Sequence, residues 1–252
     1  MTMPITASTP SALFSPTIES FWQHTFLGGD VLQHSAELSV ATQAELDAAR
    51  RVMLLRRAAG QLQAVCTPAL AERLALRQQP VRNEAMLRER LQQADLPLHG
   101  ADYLFHFSEA DKTALVQEIT PSSVRQLHAA DAELFAAFQG AASEQDLDDA
   151  YVELDHWAVF GAFEQERLVC AASMYPWDGQ QIADMGVLTL PPYRGQGHAS
   201  RVVRAISRHA LTLGYQPQYR CQHDNSASAA LARSAGLSLF GSWEVISPDA
   251  AD

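Results

Sequence analysis

Between Asp184 and Ser200 the chain reads Asp-Met-Gly-Val-Leu-Thr-Leu-Pro-Pro-Tyr-Arg-Gly-Gln-Gly-His-Ala-Ser, and few folds accommodate such a run. Its apolar half predicts a strand over 181–190 that stops at Pro191-Pro192, because proline has no N–H with which to continue a ladder. After the glycines a helix is expected, with Val202, Val203, Ile206, Ala210 and Leu213 as its apolar face. Gly195 and Gly197 allow backbone conformations closed to other residues and a close approach of a ligand to the main chain. The first N–H groups of the following helix have no partner and sit at its positive end. Strand, glycine turn and helix start therefore predict a seat for a phosphate group. The turn is not the dinucleotide G-x-G-x-x-G, and no G-x-x-x-x-G-K-[ST] occurs in the chain.

The second half continues in the same rhythm. The runs 157–163 and 168–175, joined by a short polar loop, predict a hairpin. A strand is expected over 218–222, a helix over 226–235 and a last strand or bent pair over 237–246. Asn225 is placed to cap the helix and Gly236 to end it. Further upstream, 114–119 reads as a strand. Thr120-Pro121 followed by Leu127, Leu134, Phe135 and Phe138 reads as a helix that fades at Gly140. The first 110 residues have a different pattern. Pro4, Pro10 and Pro16 among Ser and Thr suggest a flexible lead-in. Helices are expected at 18–27, ended by Gly28-Gly29, at 42–59, and after Pro80 through Leu91. Short strands are expected at 62–67 and 103–107. A boundary near residue 110 divides the chain into an N-terminal subdomain, 1–110, and a C-terminal domain, 111–252.

Two motifs in the C-terminal part carry a resemblance. Arg194-Gly-Gln-Gly-His-Ala199, preceded by Pro-x-Tyr, is similar to the pyrophosphate-binding turn of the GNAT acetyltransferase superfamily. Asp224-Asn225-Ser226-Ala227-Ser228, then Leu231 and Ala235-Gly236-Leu237, resembles that family's downstream segment. The likeness covers roughly 114–247, and the run from Leu190 to Ser200 looks most like the glycine N-acyltransferase-like branch. It implies an α/β fold: a mixed, mostly antiparallel central sheet flanked by helices, here preceded by a smaller, mostly helical N-terminal subdomain with some strand. It also implies an acyl-CoA-dependent N-acyltransferase that passes acetyl from acetyl-CoA directly to a primary amine of a small molecule, amino acid or peptide. By carry-over, Arg194, Gly195, Gln196, Gly197, His198, Ala199 and Ser200 would hold the diphosphate. The backbone of Leu188, Thr189 and Leu190 would pair with the pantetheine arm, and Asn225 and Ser228 would touch the coenzyme. Asn225 serves equally well as a helix cap alone.

For catalysis, Asp184 is a candidate general base, with a structural hydrogen bond or solvent exposure as its competing readings, and His223, at the end of the 218–222 strand, is a second candidate because histidine is the side chain whose charge ordinarily changes near neutrality. His156 is a weaker version of the same argument. Many relatives place a Tyr after the Leu of the last helix as general acid. Here that position is Ala232, which leaves Tyr219, Tyr175 or an unassisted thiolate. The missing Tyr also keeps open a non-catalytic module that binds acyl-CoA. Cys221 fits a small buried strand residue better than an acyl-carrying nucleophile.

Charge and cysteine content exclude other classes. The formal net charge is −11, against nucleic-acid binding by phosphate neutralisation. Residues 1–110 carry 9 basic and 11 acidic groups, and 111–252 carry 9 and 18. The acidic excess is densest over 144–155, which is either a solvated helix face or an attraction for a cationic acceptor. The three cysteines, Cys66, Cys170 and Cys221, show no metal or disulfide spacing. With no secretory pattern and no membrane-length apolar run, a cytoplasmic protein without metal or membrane attachment, monomeric or homodimeric, is expected.

Overall fold

The computed structural model describes residues 13–250, so Pro4 and Pro10 of the expected lead-in lie outside the described residues. The helices are α1 (Pro16–Leu27), α2 (Pro68–Arg73), α3 (Glu84–Gln93), α4 (Glu109–Val116), α5 (Ala132–Gln139), α6 (Glu144–Ala150), α7 (His198–Thr212) and α8 (Ser226–Ser234). The strands are β1 (Asp30–His34), β2 (Leu38–Thr42), β3 (Val52–Arg57), β4 (Leu62–Cys66), β5 (Asp102–His106) and β6 (Val124–Gln126). They are followed by β7 (Ala158–Glu164), β8 (Arg167–Pro176), β9 (Ile182–Thr189), β10 (Gln216–Gln222) and β11 (Ser238–Val245). All eleven form one sheet in the order β1-β2-β4-β3-β11-β5-β10-β9-β8-β7-β6. Only β2–β4 and β9–β10 are parallel pairs. The sheet is thus mixed and mostly antiparallel, and helices cover both faces.

Side-chain alternation along the strands sorts these layers. On one face Phe105, Met185, Tyr219 and Cys221 pack with Val202, Val203 and Ile206 of α7 and with Ala229 and Ala232 of α8. Farther along, Val52, Leu54, Leu62 and Ala64 meet α2 and α3. On the opposite face α1 places Ile18, Trp22 and Phe26 against Met53, Leu55, Phe240 and Trp243. Phe135 and Phe138 of α5 cover Val159, Ala171 and Leu188 on that same side.

Several elements depart from the sequence expectation. The 42–59 segment is not a helix: after a short 3₁₀ turn it becomes β3, whose Val52 to Leu55 are buried on both faces. Two-sided burial leaves a continuous apolar run that a helical stripe can match as well as a strand can. Gly60, at φ +101°, closes the hairpin to β4 instead of a helix. The 114–119 strand is replaced by α4, capped by Ser108, whose Oγ accepts from Asp111 N at 3.1 Å. The helix expected after Pro121 starts only at Ala132, because Val124–Gln126 pairs with β7 as the edge strand. Strands β1 and β2 carried no legible pattern. The sheet also runs across the boundary expected near residue 110, since β5 lies between β10 and β11 and pairs with both.

Candidate functional site

The turn after β9 is built as its glycines require. Gly195 and Gly197 have φ +76° and +78°, conformations that cost other residues about 1–2 kcal/mol. Gly197 is the residue that opens α7. Among the described residues no acceptor within the protein meets the main-chain amides of 195–200, so six N–H groups crowd one exposed turn at a helix start. Beside them the Arg194 guanidinium donates to Thr189 O at 3.0 Å and to Asp146 Oδ1 at 2.7 Å. His198 turns the other way: its buried ring meets Glu164 at 2.9 Å and Arg201 at 3.0 Å.

This turn forms one end of a cleft of about 650 Å³, well inside the range of ligand sites. The cleft exists because two strands separate. β9 and β10 pair from Ile182–Gln216 to Met185–Tyr219 and no further. Beyond that point β9 continues along β8 through Thr189, while β10 follows β5. The opening passes through the sheet. On the α7/α8 side it is lined by Tyr219, Asn225, Ser228 and Leu231. Asn225 Oδ1 caps α8 by accepting from Ser228 N at 2.9 Å, and the Ser228 and Tyr219 hydroxyls are 2.7 Å apart. Burial pushes the Tyr219 hydroxyl well above its ordinary pKa, so it stays protonated.

On the opposite face the lining is Tyr151, Tyr175, Asp184 and Arg220, with Asp146 and Asp149 from α6. Helix α6 lies hard against β9 because position 186 is glycine. Asp184 is buried, and its carboxylate accepts from Gln218 Nε2 at 2.9 Å, from Arg220 Nε and Nη2 at 3.1 and 2.9 Å, and from Tyr175 Oη at 3.3 Å. Arg220 also reaches Asp102 at 3.2 Å and lies 4.4 Å over the Trp177 ring. Burial works against its charge, but Asp184 and then Asp102 more than offset this and hold its pKa above the ordinary value. Burial and the Asp184 charge push the Tyr175 phenol up to about 12. Burial raises the Asp102 carboxyl as well. The Asp184–Arg220 pair therefore bridges β9 and β10 at the point where they part.

Of the expected residues, Leu188, Thr189, Arg194, Gly195, Gly197, His198, Ala199, Ser200, Asn225, Ser228 and Asp184 all line this one cleft. Leu190 is buried in the core and Gln196 donates to Pro192 O at 3.2 Å; neither side chain lines the opening. His223 does not reach it. Its ring stacks on Tyr103 at 3.9 Å and its Nε2 lies 2.8 Å from Ser242 Oγ, because β10 leaves the cleft along β5 before His223 is reached. His156 stands behind the lining, 5.1 Å from the Tyr175 ring, with Nδ1 2.8 Å from Ser173 Oγ and its pKa lowered by burial. Cys221 is a core residue whose thiol burial keeps protonated. Sequence reasoning missed Arg220, since a lone Arg on a strand carries no signal until its partners are known. It also missed Tyr151, whose left-handed backbone at φ +46° shows only in the fold. No group of three or more His, Cys, Asp or Glu that could hold a metal occurs among the described residues, and none of their helices is long and apolar enough to cross a membrane.

Comparison with known proteins agrees with this geometry. A family model described as "Acetyltransferase (GNAT) family" matches residues 124–237. No curated protein sequence matches the chain. Among solved structures, an acetyltransferase from the GNAT family of Colwellia psychrerythraea superposes with a TM-score of 0.50 at 19% identity, over 73% of this chain and 76% of that one. A GNAT-family protein from Novosphingobium aromaticivorans DSM 12444 gives 0.45 at 16% identity, over 60% of this chain and 66% of that one. A GCN5-related N-acetyltransferase from Kribbella flavida gives 0.45 at 19%, over 64% and 63%. This chain thus spans slightly under two thirds of the latter two. At 19% identity the likeness to the Colwellia psychrerythraea protein is one of fold. The free amides of the glycine turn, the parting of β9 and β10, and the family match all fall on the same stretch, and residues 124–237 are a GNAT acetyltransferase domain.

Proposed function

We propose that the protein is an acyl-CoA-dependent N-acyltransferase that moves an acetyl group from acetyl-CoA to a primary amine by direct attack. The observation that carries the reading is the cleft running through the sheet, with unpaired amides at one mouth and an open, acidic mouth on the other face. The amides of residues 195–200 would grip the diphosphate. The main chain of Leu188, Thr189 and Leu190, which β10 leaves free on one side, would pair with the pantetheine arm, and Asn225 and Ser228 would flank it. On this reading the thioester would lie where β9 and β10 part, reachable by an amine from the opposite face.

In the transfer a C–N bond forms, the C–S bond breaks, and the amine proton ends on sulfur by way of solvent. Tyr219 takes the part of the family's missing Tyr. Ala232 is fully buried in the same cluster as Tyr219, so the Tyr219 hydroxyl is the group available beside Ser228. Because burial raises its pKa above that of a thiol, about 8.5, it serves as a hydrogen-bond donor to the developing thiolate more readily than as a full proton donor. Asp184, held by Arg220, Gln218 and Tyr175, acts as a positioning residue that fixes the opening of the strands. A base role would require it to give up that pairing.

The test is coenzyme binding by calorimetry, followed by thiol release with an amine panel. Tyr219→Phe should leave acetyl-CoA affinity unchanged and lower kcat at least about a hundredfold, the low side of what a hydrogen-bonding catalytic group supplies. Absence of acetyl-CoA binding refutes the reading. The absence of a Tyr at position 232 favours the alternative, a non-catalytic acyl-CoA-binding module, and binding without turnover for any amine or acyl donor would establish it.

A further inference from the structure

The acceptor mouth discriminates by charge, and its groups point to a substrate class. We propose that the acceptor is a small aliphatic amine bearing a second cationic group, such as a diamine, in place of an amino acid or other carboxylate-bearing amine. The inference rests on the acyltransfer reading above. Every cation that lines the cleft is already matched. Arg220 is held between Asp184 and Asp102 and Arg194 by Asp146, while both ring nitrogens of His198 are already engaged, by Glu164 and Arg201. A substrate carboxylate entering here would meet no unspent positive charge.

The unspent groups are of the opposite kind. Asp149 lines the mouth, is exposed, and is engaged only by Gln145 Nε2 at 2.7 Å. The carbonyl oxygens of Ala150 and Tyr151 face Gly186 at the cleft wall and accept no hydrogen bond from the described residues. They are the free C=O groups at the end of α6, the end of a helix that favours positive charge. The Tyr151 ring, 56% exposed, packs at 4.9 Å from His156 and 5.8 Å from Tyr175, and two of these three rings line the opening. Ring faces, carbonyl oxygens and a carboxylate together form the surroundings that an alkylammonium group prefers. Tyr151 reaches this position only by adopting a left-handed backbone, φ +46°, which a bulky residue adopts at a cost. The strained residue is the one that ends α6 and sets both its ring and its carbonyl at the mouth.

Calorimetry on the full chain saturated with coenzyme A separates the possibilities, because it needs no turnover. Diaminobutane, butylamine and aminobutyrate are titrated in turn, and acetyl-CoA turnover with each is measured alongside. Diaminobutane should bind about tenfold more tightly than butylamine, the worth of one partly desolvated cation contact, and aminobutyrate more weakly than both. Asp149→Asn and Tyr151→Leu should each cut the diamine-to-butylamine ratio at least threefold. Equal binding of diamine and butylamine, tighter binding of aminobutyrate, or no amine binding to the coenzyme-loaded chain would overturn the substrate assignment while leaving the acyltransferase reading standing. Failure to bind coenzyme A at all would remove the acyltransferase reading and this inference with it.

Discussion

Gly186 offers a direct way to separate the two ends of the cleft. It lies on β9 immediately after the last residue paired with β10, and the end of α6 rests on it. A Cβ built at this position falls 1.9 Å from Ala150 O and 3.2 Å from Tyr151 O, both main-chain atoms. Real Cβ contacts stop near 3.0 Å, so the end of α6 must retreat by more than an ångström for Gly186→Ala to be accommodated. Overpacking of this kind costs about 1–3 kcal/mol, and the stiffer unfolded chain returns about 0.5–1 kcal/mol. The net loss of about 1–2 kcal/mol corresponds to a Tm lower by about 2–8 °C in a chain of this size. The wall that moves carries Asp149 and Tyr151, while the amide turn stands on α7. Acceptor KM should therefore rise at least fivefold, with coenzyme Kd within about threefold of the parent. Gly214→Ala, outside the cleft, is the matched control: it meets no neighbour within 4 Å and bears only the cost of φ +83°. Differential scanning calorimetry and steady-state kinetics with each substrate varied provide the readouts. An unchanged Tm and acceptor KM for Gly186→Ala would refute the packing of α6 on β9. Equal rises in acceptor KM and coenzyme Kd would refute the division of the cleft into two ends.

Three further outcomes follow from the geometry. Gly197→Val places a branched side chain at φ +78° beside the unpaired amides, where the one neighbour within 4 Å among the described residues is the end of the Arg201 side chain; titration calorimetry should show coenzyme binding lost, and circular dichroism a retained fold. His106 is fully buried with its pKa lowered to about 4 by burial, so the unfolded chain binds its proton at higher pH than the native one. Stability should then fall by about 3 kcal/mol as pH drops from 6.5 to 4, and denaturant melts of His106→Gln across that range should lose this slope. A chain reduced to residues 111–252 lacks β5, the strand that joins β10 to β11; it should be insoluble or molten by near-UV circular dichroism, whereas a chain starting at residue 13 should fold.

Much of the glycine-turn end of the cleft was legible in the sequence because its physics is local. Gly195 and Gly197 sit at positive φ, Asn225 caps α8, and the β7–β8 hairpin and the order strand–turn–helix follow from residues near one another in the chain. The same local reading failed at β3, where burial on both faces erased the alternation that marks a strand, and at α4, where the Ser108 cap outweighed a short apolar run. Tertiary structure alone decided the other end of the cleft, beside Asp184 and α6. Whether Asp184 is a free carboxylate or half of an ion pair depends on Arg220, 36 residues away, and whether His223 faces the cleft depends on which neighbour β10 follows once β9 leaves it. The insertion of β5 and the seating of α6 on Gly186 are likewise long-range events. Backbone torsions, caps and helix dipoles act over a turn or two and can be read from the chain. Charge pairing and strand order depend on which distant segments meet, and no local pattern records that.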